Sequence, residues 1–543
     1  MGKKTPLKKT EKKSLPGKQA WLGILLVLAA TWLIYQPSLK NKLTNWDDQE
    51  YITYNKDLAD ASFKKHFVEK PHVMGNFHPL TMLTLAWNYQ SAFDPVTGET
   101  DPLPFHRTNM WLHIFNALLV YLFLYFLSGN NLVATLTAAA FALHPMHVES
   151  VAWAAERKDV LYSLFYLGAL VSWVYFRKQG KDLVAWVLTA TLFLGGLFSK
   201  AVTVTLPLAL LLCDWYMGRR DYKKMFLEKI PLFALSVYFG LRAIEAQKEF
   251  EAIQGNDMYH LGERILFACY GVMMYVAKFF APVNLSCFYS FPVKGEMGPL
   301  YYLAPVVVAG LTFLVFKYRG NRDLVFGGGF FLITAILVLQ LLPVGGAVMA
   351  DRYSYLPHIG LGFAIFSLLV TWRDKKMPGN KVPVVLACFF LALLTWLTGE
   401  RIKIWKDSIT LWTDAEKKDQ RSPKIYNNFG DAYNLEKNYD QGIFYLNKAI
   451  ALKPDYPDAY YNRGLAHYYQ GKLNEAIEDY STAIKLNPNL KQAWHNRAGT
   501  WFTAGNYEAA LSDALKAQEL GYPVDPEFIR VLKEEVAKKK AGL

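Results

Sequence analysis

Two adjacent carboxylates, Asp47 and Asp48, follow the first apolar segment of the sequence, which covers residues 21–35. They end the motif N-W-D-D at residues 45–48. A carboxylate at a membrane surface can act as a general base towards a hydroxyl group. Mutual repulsion between two neighbouring carboxylates would raise the pKa of one of them, which favours this role. The alternative is a solvated turn or a helix cap, the commoner use of such a pair.

Further polar residues lie at the ends of later apolar segments, each within a short motif. Ionisable side chains are costly at membrane depth, so those that occur there are candidates for function. The motifs are H-P-L-T, F-H-R-T-N, L-H-P-M-H-V-E-S, E-R-K-D, S-K and D-R-Y-S-Y-L-P. The residues that they contribute as candidates are His78, His147, Glu149, Arg157, Lys200, Asp351, Arg352 and Tyr355.

Lys200 and Arg352 belong to the motifs S-K and D-R-Y-S-Y-L-P, which border apolar segments. A lysine or an arginine at this depth needs an anionic partner, and a lipid phosphate is available there. The alternative to phosphate binding, of equal weight, is a salt bridge, such as one from Asp351 to Arg352, or a side chain that reaches the lipid headgroups.

His144, His147 and Glu149 combine side chains that suit a divalent ion. Pro145, directly after the first histidine, interrupts helical geometry, and the sequence shows no third anchored imidazole nearby. We therefore expect no metal here and favour helix-end packing and substrate contact.

The composition indicates a polytopic α-helical membrane protein. Of the 543 residues, 52% are hydrophobic, and they form apolar stretches separated by short charged loops. The net charge of +13 lies largely in amino-terminal lysines and in these loops. Membrane orientation explains this charge better than a nucleic-acid partner does, and we expect no such partner.

Twelve apolar segments are readable, and the lysine and arginine bias of the loops predicts about eleven crossings and one interfacial or re-entrant segment. We expect a cytoplasmic lysine-rich tail at residues 1–18 and a membrane domain at 19–399. On this count the first loop, residues 36–107, and everything after Glu400 lie outside the cytoplasm.

The carboxyl-terminal part repeats with a period of 34 residues: Tyr426, Tyr460 and Trp494 are in register, as are Gly430, Gly464 and Ala498. This period and its small and aromatic residues are typical of tetratricopeptide repeats. We predict a partial unit or linker at 400–422, three repeats at 423–524, and a capping helix and tail at 525–543.

The first helix of each repeat should present side chains to a concave groove that suits an extended peptide. The residues that we expect there are Asn427, Tyr461, Tyr468 and His495. The alternative is that these side chains only pack between neighbouring repeats.

The order of these motifs, followed by tetratricopeptide units, resembles the transmembrane and tetratricopeptide-containing O-mannosyltransferase family. The resemblance covers nearly the whole chain. That family belongs to the GT-C superfamily of polyprenyl-phosphate-sugar transferases. The resemblance implies transfer of a sugar, such as mannose, from a polyprenyl-phosphate carrier to serine or threonine hydroxyls, with inversion and without an obligatory metal or other cofactor.

The resemblance also implies roles for the candidates. Asp47 becomes the base and Asp48 its neighbour, and His78 shapes the acceptor or sugar pocket. His147, Glu149 and Arg157 line the sugar pocket. The substrate-binding residues of the last motif, beside Lys200 at the donor phosphate, are Asp351, Arg352 and Tyr355.

Some features depart from the animal members of that family. The repeat array is shorter. His78 stands where those members often have arginine, and Asp351 stands where those members have the motif Ala-Glu-Arg. The short array suggests a bacterial inner-membrane relative, or an endoplasmic reticulum protein if the source is eukaryotic. Two other functions stay open: transfer to a lipid or polysaccharide, and a membrane-anchored assembly scaffold.

Overall fold

The computed structural model describes residues 17–249, 259–341 and 345–541, and most of the predicted lysine-rich tail lies outside them. The chain divides into two compact units, which meet at the bond between Lys406 and Asp407. The last apolar helix runs to Ile404, past the predicted domain end at residue 399, and Arg401 and Ile402 within it are buried.

Unit 1 is mainly helical, with two small two-stranded sheets, and each predicted apolar segment contains a helix among the described residues. Its helices are α1 (Lys18–Tyr35), α2 (Pro79–Ala92), α3 (Leu103–Ser128), α4 (Asn131–Ala142), α5 (Val148–Ala152), α6 (Arg157–Lys178), α7 (Asp182–Leu197), α8 (Leu206–Tyr216), α9 (Tyr222–Leu227), α10 (Ile230–Glu249), α11 (Leu261–Phe280), α12 (Pro299–Lys317), α13 (Arg322–Ala335), α14 (Pro357–Lys376) and α15 (Val382–Ile404).

Among the described residues, five helical stretches are long and apolar enough to cross a membrane by length and composition. They are Trp21–Lys40, Leu103–Ser128, Ala154–Lys178, Pro299–Lys317 and Val382–Ile404. The membrane-protein class is confirmed, whereas the count of about eleven crossings stays a prediction. One of the twelve predicted apolar segments, residues 324–343, contains helix α13, which ends at Ala335 and is therefore shorter than predicted.

Local signals set the helix ends. Gly129 ends α3 in the left-handed conformation, with φ of 75°, and the Asn130 side chain accepts a hydrogen bond from the Val133 N–H at the start of α4. Prolines begin α2 and α14, where a missing N–H costs no helical hydrogen bond.

Two small antiparallel sheets lie in the loops that carry the motifs. Strands β1 (His72–Val73) and β2 (Asn76–Phe77) form a hairpin and are joined by Met74 and Gly75, both with positive φ. Strand β3 (Tyr289–Ser290) pairs with β4 (Ala347–Met349), which comes just before the D-R-Y-S-Y-L-P motif, and α12 and α13 lie between these two strands in the chain. Each sheet therefore holds a loop next to a candidate residue.

Helices α13 and α14 pack closely because small residues face each other. A Cβ added at Gly327 would lie 2.5 Å from the Gly360 carbonyl oxygen, and one at Gly360 would lie 2.8 Å from the Phe331 nitrogen. Small residues allow this close approach of membrane helices.

Unit 2 is a series of antiparallel helix pairs. Its helices are α16 (Ser408–Lys418), α17 (Pro423–Leu435), α18 (Tyr439–Leu452), α19 (Pro457–Tyr469), α20 (Leu473–Leu486), α21 (Lys491–Thr503), α22 (Tyr507–Glu519) and α23 (Pro526–Ala541).

A contact between the two helices of each pair recurs with the repeat. Arg463 forms two hydrogen bonds to Asp479, of 3.0 and 2.6 Å, and Arg497 forms the same pair with Asp513. In the first pair the rings of Phe429 and Tyr445 stack at the same register, 4.1 Å apart. The 34-residue period thus repeats in the packing as well as in the sequence.

Candidate functional site

The site lies in unit 1, where segments from four parts of the sequence meet. Asp48 of the first loop accepts a hydrogen bond of 2.7 Å from the Ala155 N–H, just before α6. The hydroxyl of Thr81 in the H-P-L-T motif donates to the Ser199 carbonyl oxygen, 2.9 Å away, next to Lys200. Arg352 forms an ion pair with Glu149. The structure therefore brings together motifs that the sequence separates by up to 300 residues.

The two adjacent acids have different environments. Asp48 is fully buried, and its two oxygens accept hydrogen bonds from the backbone N–H groups of Thr44 and Ala155, both at 2.7 Å. Asp47 keeps part of its surface exposed. Asp48 therefore fastens the first loop to the start of α6, which leaves Asp47 as the acid that a substrate can reach.

Burial raises the pKa of Asp48 to about 7, against hydrogen bonds from Thr44 and Ala155, which lower it. The charge of Asp47 raises this pKa as well, but it is the smallest of the named causes. Repulsion between the paired acids, which the sequence suggested as the cause, is therefore secondary to burial.

An ion cluster lies beside these acids and centres on Glu156. One Glu156 oxygen, Oε1, is 3.2 Å from the Lys200 ammonium and 3.8 Å from Arg352 Nε. The other, Oε2, is 3.1 Å from the Lys158 ammonium. Lys200 also pairs with Asp159, and Arg352 pairs with Glu149. Three carboxylates thus hold three cations in one place.

The acids and the bases of the cluster differ in the exposed fraction of their side chains. The side chains of Glu149, Glu156 and Asp159 are 0%, 1% and 2% exposed. Those of Lys158, Lys200 and Arg352 are 11%, 18% and 15% exposed. Because the acids are more deeply buried than the bases, a group that reaches the cluster from solvent meets positive charge first. Such a surface suits an anion.

Asp351 lies next to this cluster. Its Oδ1 accepts a hydrogen bond of 2.6 Å from the Tyr289 hydroxyl, and its Oδ2 is 3.5 Å from Arg401 Nη2. Asp351 therefore ties the segment before α14 to β3 and to the end of α15, whereas Arg352 pairs with Glu149 and lies near Glu156.

Arg157 is not part of the ion cluster, although the sequence reasoning expected it in a sugar pocket. It is fully buried and donates to Asn109 Oδ1, to Asn88 Oδ1 at 2.7 Å, and to the Phe105 carbonyl oxygen at 3.1 Å. These partners lie on α2 and α3. The position of Arg157 favours a packing role between those helices and α6.

Tyr355 is likewise held in the interior. Its hydroxyl is 2.7 Å from His113 Nδ1 and accepts a hydrogen bond of 3.2 Å from the Asn116 amide. The residue is fully buried. It therefore anchors the start of α14 against α3, and the structure does not place it on the accessible side of the cluster.

His78 lies near the cluster as a neutral ring. It is buried, stacks on Tyr51 with centroids 5.4 Å apart, and its Nε2 has no hydrogen-bond partner among the described residues. The pKa of His78 is lowered to about 3, chiefly by burial and to a smaller extent by the charges of Lys158 and Lys200. An unpartnered nitrogen at this position is suited to contact with a substrate hydroxyl.

Three buried histidine rings pack behind Glu149: His144, His147 and His358, with centroids 4.8 to 5.5 Å apart. His147 Nδ1 is 2.7 Å from the Phe141 carbonyl oxygen, whereas its Nε2 has no partner in the part of the chain that the structure describes. No group of three or more histidine, cysteine or acidic residues among the described residues is arranged to hold a metal ion.

Three tryptophans connect the loops of the site. Trp153 stacks on Trp46 with centroids 6.1 Å apart and on Trp405 with centroids 5.6 Å apart. Beside this stack the Lys42 N–H donates to the Lys406 carbonyl oxygen, 2.9 Å away. Unit 1 therefore ends beside the loop that carries Asp47.

Glu156, Lys158 and Asp159 are not among the candidates from the sequence, although their motif E-R-K-D is. The candidate from that motif is Arg157, whose partners lie on α2 and α3. A signal was present in the alternating charges of the motif at the start of an apolar helix. It did not reveal which of the four side chains faced the site.

In unit 2 the predicted groove residues have partners within the array. Asn427 accepts a hydrogen bond of 3.1 Å from Asn462, and the Tyr461 hydroxyl accepts one of 3.0 Å from Asn496. His495 stacks on Tyr522 with centroids 4.3 Å apart. Tyr468, on α19, is partly exposed. Peptide binding by these four residues stays a prediction.

Comparison with known proteins agrees with this architecture. Family models described as tetratricopeptide repeat and TPR repeat match residues 457–490 and 430–471. Protein O-mannosyl-transferase TMTC3 of Homo sapiens is 24% identical over 475 residues, which cover 76% of this chain and 49% of that protein. The resemblance that the motifs indicated is confirmed.

Another relative, Protein O-mannosyl-transferase F38B6.6 of Caenorhabditis elegans, is 25% identical over 474 residues and covers 81% of this chain and 64% of its own length. The chain spans about half the length of the TMTC3 relatives that it matches. Among solved structures, the first TPR of Spaghetti (RPAP3) bound to an HSP90 peptide is 24% identical, with a TM-score of 0.21, and covers 22% of this chain and 96% of that one.

Proposed function

We propose that this protein is an integral-membrane glycosyltransferase that moves a sugar, such as mannose, from a polyprenyl-phosphate carrier to serine or threonine hydroxyls of proteins. The observation that carries the proposal is the ion cluster, in which three fully buried acids pair with three less deeply buried bases. The names of the relatives, which are protein O-mannosyl-transferases, support the same reaction.

The donor phosphate binds on the accessible side of Lys200 and Arg352. The guanidinium of Arg352 can share two N–H groups with a phosphate, and the ammonium of Lys200 adds a compact charge. Glu156 lies within 4 Å of both cations and holds them at one place before the donor arrives. Such preorganisation stabilises the negative charge that develops on the leaving phosphate.

Asp47 acts as the general base. The acceptor hydroxyl oxygen attacks the anomeric carbon of the sugar, its proton passes to Asp47, and the bond from that carbon to the phosphate oxygen breaks. The electron pair of that bond leaves with the polyprenyl phosphate. One displacement of this kind inverts the configuration at the anomeric carbon.

The repeats of unit 2 bind the acceptor protein, and the first loop and unit 2 both lie on the extracytoplasmic side, with the amino terminus in the cytoplasm. Tetratricopeptide arrays commonly present such peptide-binding surfaces. Labelling of single cysteines placed in the first loop and in unit 2 tests this orientation. Labelling of the two from opposite sides of the membrane would overturn it.

Transfer from defined donors tests the reaction itself. The purified full chain in lipid nanodiscs is given a panel of polyprenyl-phosphate sugars and serine- or threonine-containing peptides, with and without a chelator. We expect transfer from at least one donor by the wild type and none by Asp47→Asn. Transfer only to lipid or polysaccharide acceptors would replace the acceptor in this proposal, and no transfer would favour a scaffold.

A further inference from the structure

Lys158 occupies a place in the ion cluster that anion binding by Lys200 and Arg352 does not explain. Its ammonium lies against Glu156 Oε2, 3.1 Å away, whereas the other two cations lie against Oε1. The same ammonium is 4.7 Å from the centroid of the Tyr51 ring in the first loop. It is also the least exposed of the three cations. Lys158 therefore stands between the donor-binding pair and the first loop.

The rings around Lys158 belong to the neighbourhood of Asp47. The Tyr51 N–H donates to the Asp47 carbonyl oxygen, 3.1 Å away, so Tyr51 is one helical turn beyond the acid. Lys158 also lies 5.7 Å from the centroid of Trp153, which stacks on Trp46, the residue before Asp47. Lys158 therefore contacts the ring of Tyr51 and a ring stacked on Trp46, two residues that lie on either side of Asp47 in the first loop.

We propose that Lys158 is a positioning residue that keeps Asp47 ionised, so that the base and the bound donor phosphate are linked through one chain of charges from Asp47 to Lys158 to Glu156. This inference rests on the proposed function of the site. A nearby positive charge favours the ionised form of a carboxylate, and a general base works only in that form.

The charged and titratable groups around this pair come from several elements. Those that face Lys158 are Glu156 before α6, Asp47 and Tyr51 in the first loop, Lys200 after α7, Arg352 before α14 and His78 at the start of α2. Asp47 also faces Asp48. Asp48 is a like charge beside Asp47 only when it is ionised, and its raised pKa keeps it largely neutral below pH 7. Lys158 supplies positive charge near Asp47 throughout this range.

The pH dependence of transfer separates this role from a merely structural one. We compare the full-length wild type with Lys158→Met, Lys158→Arg and Lys200→Met, and measure kcat/KM against pH with one active donor and peptide. Removal of the Lys158 charge should move the acid side of the profile to higher pH by about one unit, with activity recovering towards higher pH. Lys158→Arg keeps the charge and should leave the acid side in place.

Lys200→Met is the matched control, because it removes a cation of the same cluster that lies away from Tyr51. It should raise the KM for the donor without moving the acid side of the profile. If Lys158→Met does not fold, Tyr51→Leu removes a ring that holds the ammonium in place and should shift the acid side in the same direction.

Each outcome decides between the proposals. A Lys158→Met or Tyr51→Leu profile lowered equally at every pH, or superimposable on that of the wild type, would overturn the role of Lys158 and leave the proposed transferase intact. A wild type that transfers no sugar from any donor would overturn both.

Discussion

Asp47 and Asp48 are neighbours in sequence, and the structure gives them separable tasks. Asp48 accepts two backbone hydrogen bonds in a buried place, whereas Asp47 is partly exposed. Asp47→Ala should therefore lower the transfer activity, and Asp48→Ala should lower the stability of the fold. The pair offers a comparison in which each variant controls for the other.

We expect Asp47→Ala to lower transfer by about 100-fold or more, since general-base catalysis contributes that much, with little change in the thermal midpoint. Asp48→Ala leaves the N–H groups of Thr44 and Ala155 without their acceptor, at a cost of about 2 kcal/mol or more in stability. Transfer assays and thermal unfolding in the same detergent measure both effects. An equal loss of stability in the two variants would contradict this division.

His78 should make the protein sensitive to acid. Its pKa is about 3 in the folded chain because of burial, below the usual value of 6.5 in an unfolded chain. Between these values the unfolded chain binds a proton that the folded chain does not, so stability is present above pH 6.5 and is lost as the pH falls towards 3. This loss is about 1.4 kcal/mol per pH unit.

The variant His78→Asn removes this contribution. Between pH 7 and pH 5 the wild type should therefore lose about 2 kcal/mol more stability than the variant does. Thermal midpoints of both proteins at the two pH values measure the difference. Parallel losses would show that the His78 ring takes up a proton in the folded protein.

At the scale of elements, the packing of α13 on α14 depends on Gly360. A methyl group there would lie 2.8 Å from the Phe331 nitrogen and would also contact the Gly327 carbonyl oxygen. We expect Gly360→Ala to cost about 1–3 kcal/mol through overpacking. Thermal unfolding of the purified protein measures this loss.

Gly310, within α12, is the matched control, because a Cβ added there meets no atom within 4 Å. Gly310→Ala should leave the thermal midpoint unchanged or raise it slightly, since alanine is the better helix former. A similar loss at both glycines would point to helix propensity as the cause, and the contact at Gly360 would then be unimportant.

The elements were more predictable from sequence than the directions of their side chains. Apolar runs located most of the membrane-domain helices, because burial in lipid or protein requires them. Helices α2, α5 and α9 lie outside the predicted runs. The ends were less certain: α15 continues through Arg401 because that arginine pairs with Asp351, a contact between residues 50 positions apart. A partner so distant in sequence leaves no local signal.

The candidate site followed the same pattern. The motifs identified the segments that meet. Lys200 and Arg352 lie in the cluster paired with carboxylates, and their contact with a donor phosphate stays a prediction. Arg157 of E-R-K-D lies outside the cluster, and its role at the sugar stays a prediction, because successive residues at a helix start point in different directions and only tertiary packing decides which faces the site. No local pattern indicates that the Tyr355 hydroxyl contacts His113 and Asn116.

At the scale of the whole molecule, the division after Lys406 allows the two units to be tested separately. We expect a chain that ends at Lys406 to bind a polyprenyl-phosphate sugar as the full chain does, but to lose transfer to protein acceptors. Transfer to short peptides at high concentration should persist, because the chemistry lies in unit 1. Donor binding and transfer to both acceptor types provide the measurements.

A truncated chain that transfers to protein acceptors at the full rate would remove the proposed role of the repeats in acceptor binding. Loss of donor binding would instead indicate that unit 2 is needed for unit 1 to fold. The thermal midpoint of the truncated chain separates this second outcome from a specific effect on the donor.

The balance of three acids and three bases in the cluster has a consequence for turnover. In the proposed reaction the donor is a phosphodiester with one negative charge, whereas the spent carrier is a phosphomonoester with up to two. A basic surface that binds the first holds the second more tightly, so we expect release of the carrier to limit the rate and added polyprenyl phosphate to inhibit competitively, less strongly in Lys200→Met. The turnover rate should then follow the rate at which the used carrier lipid returns to the bilayer.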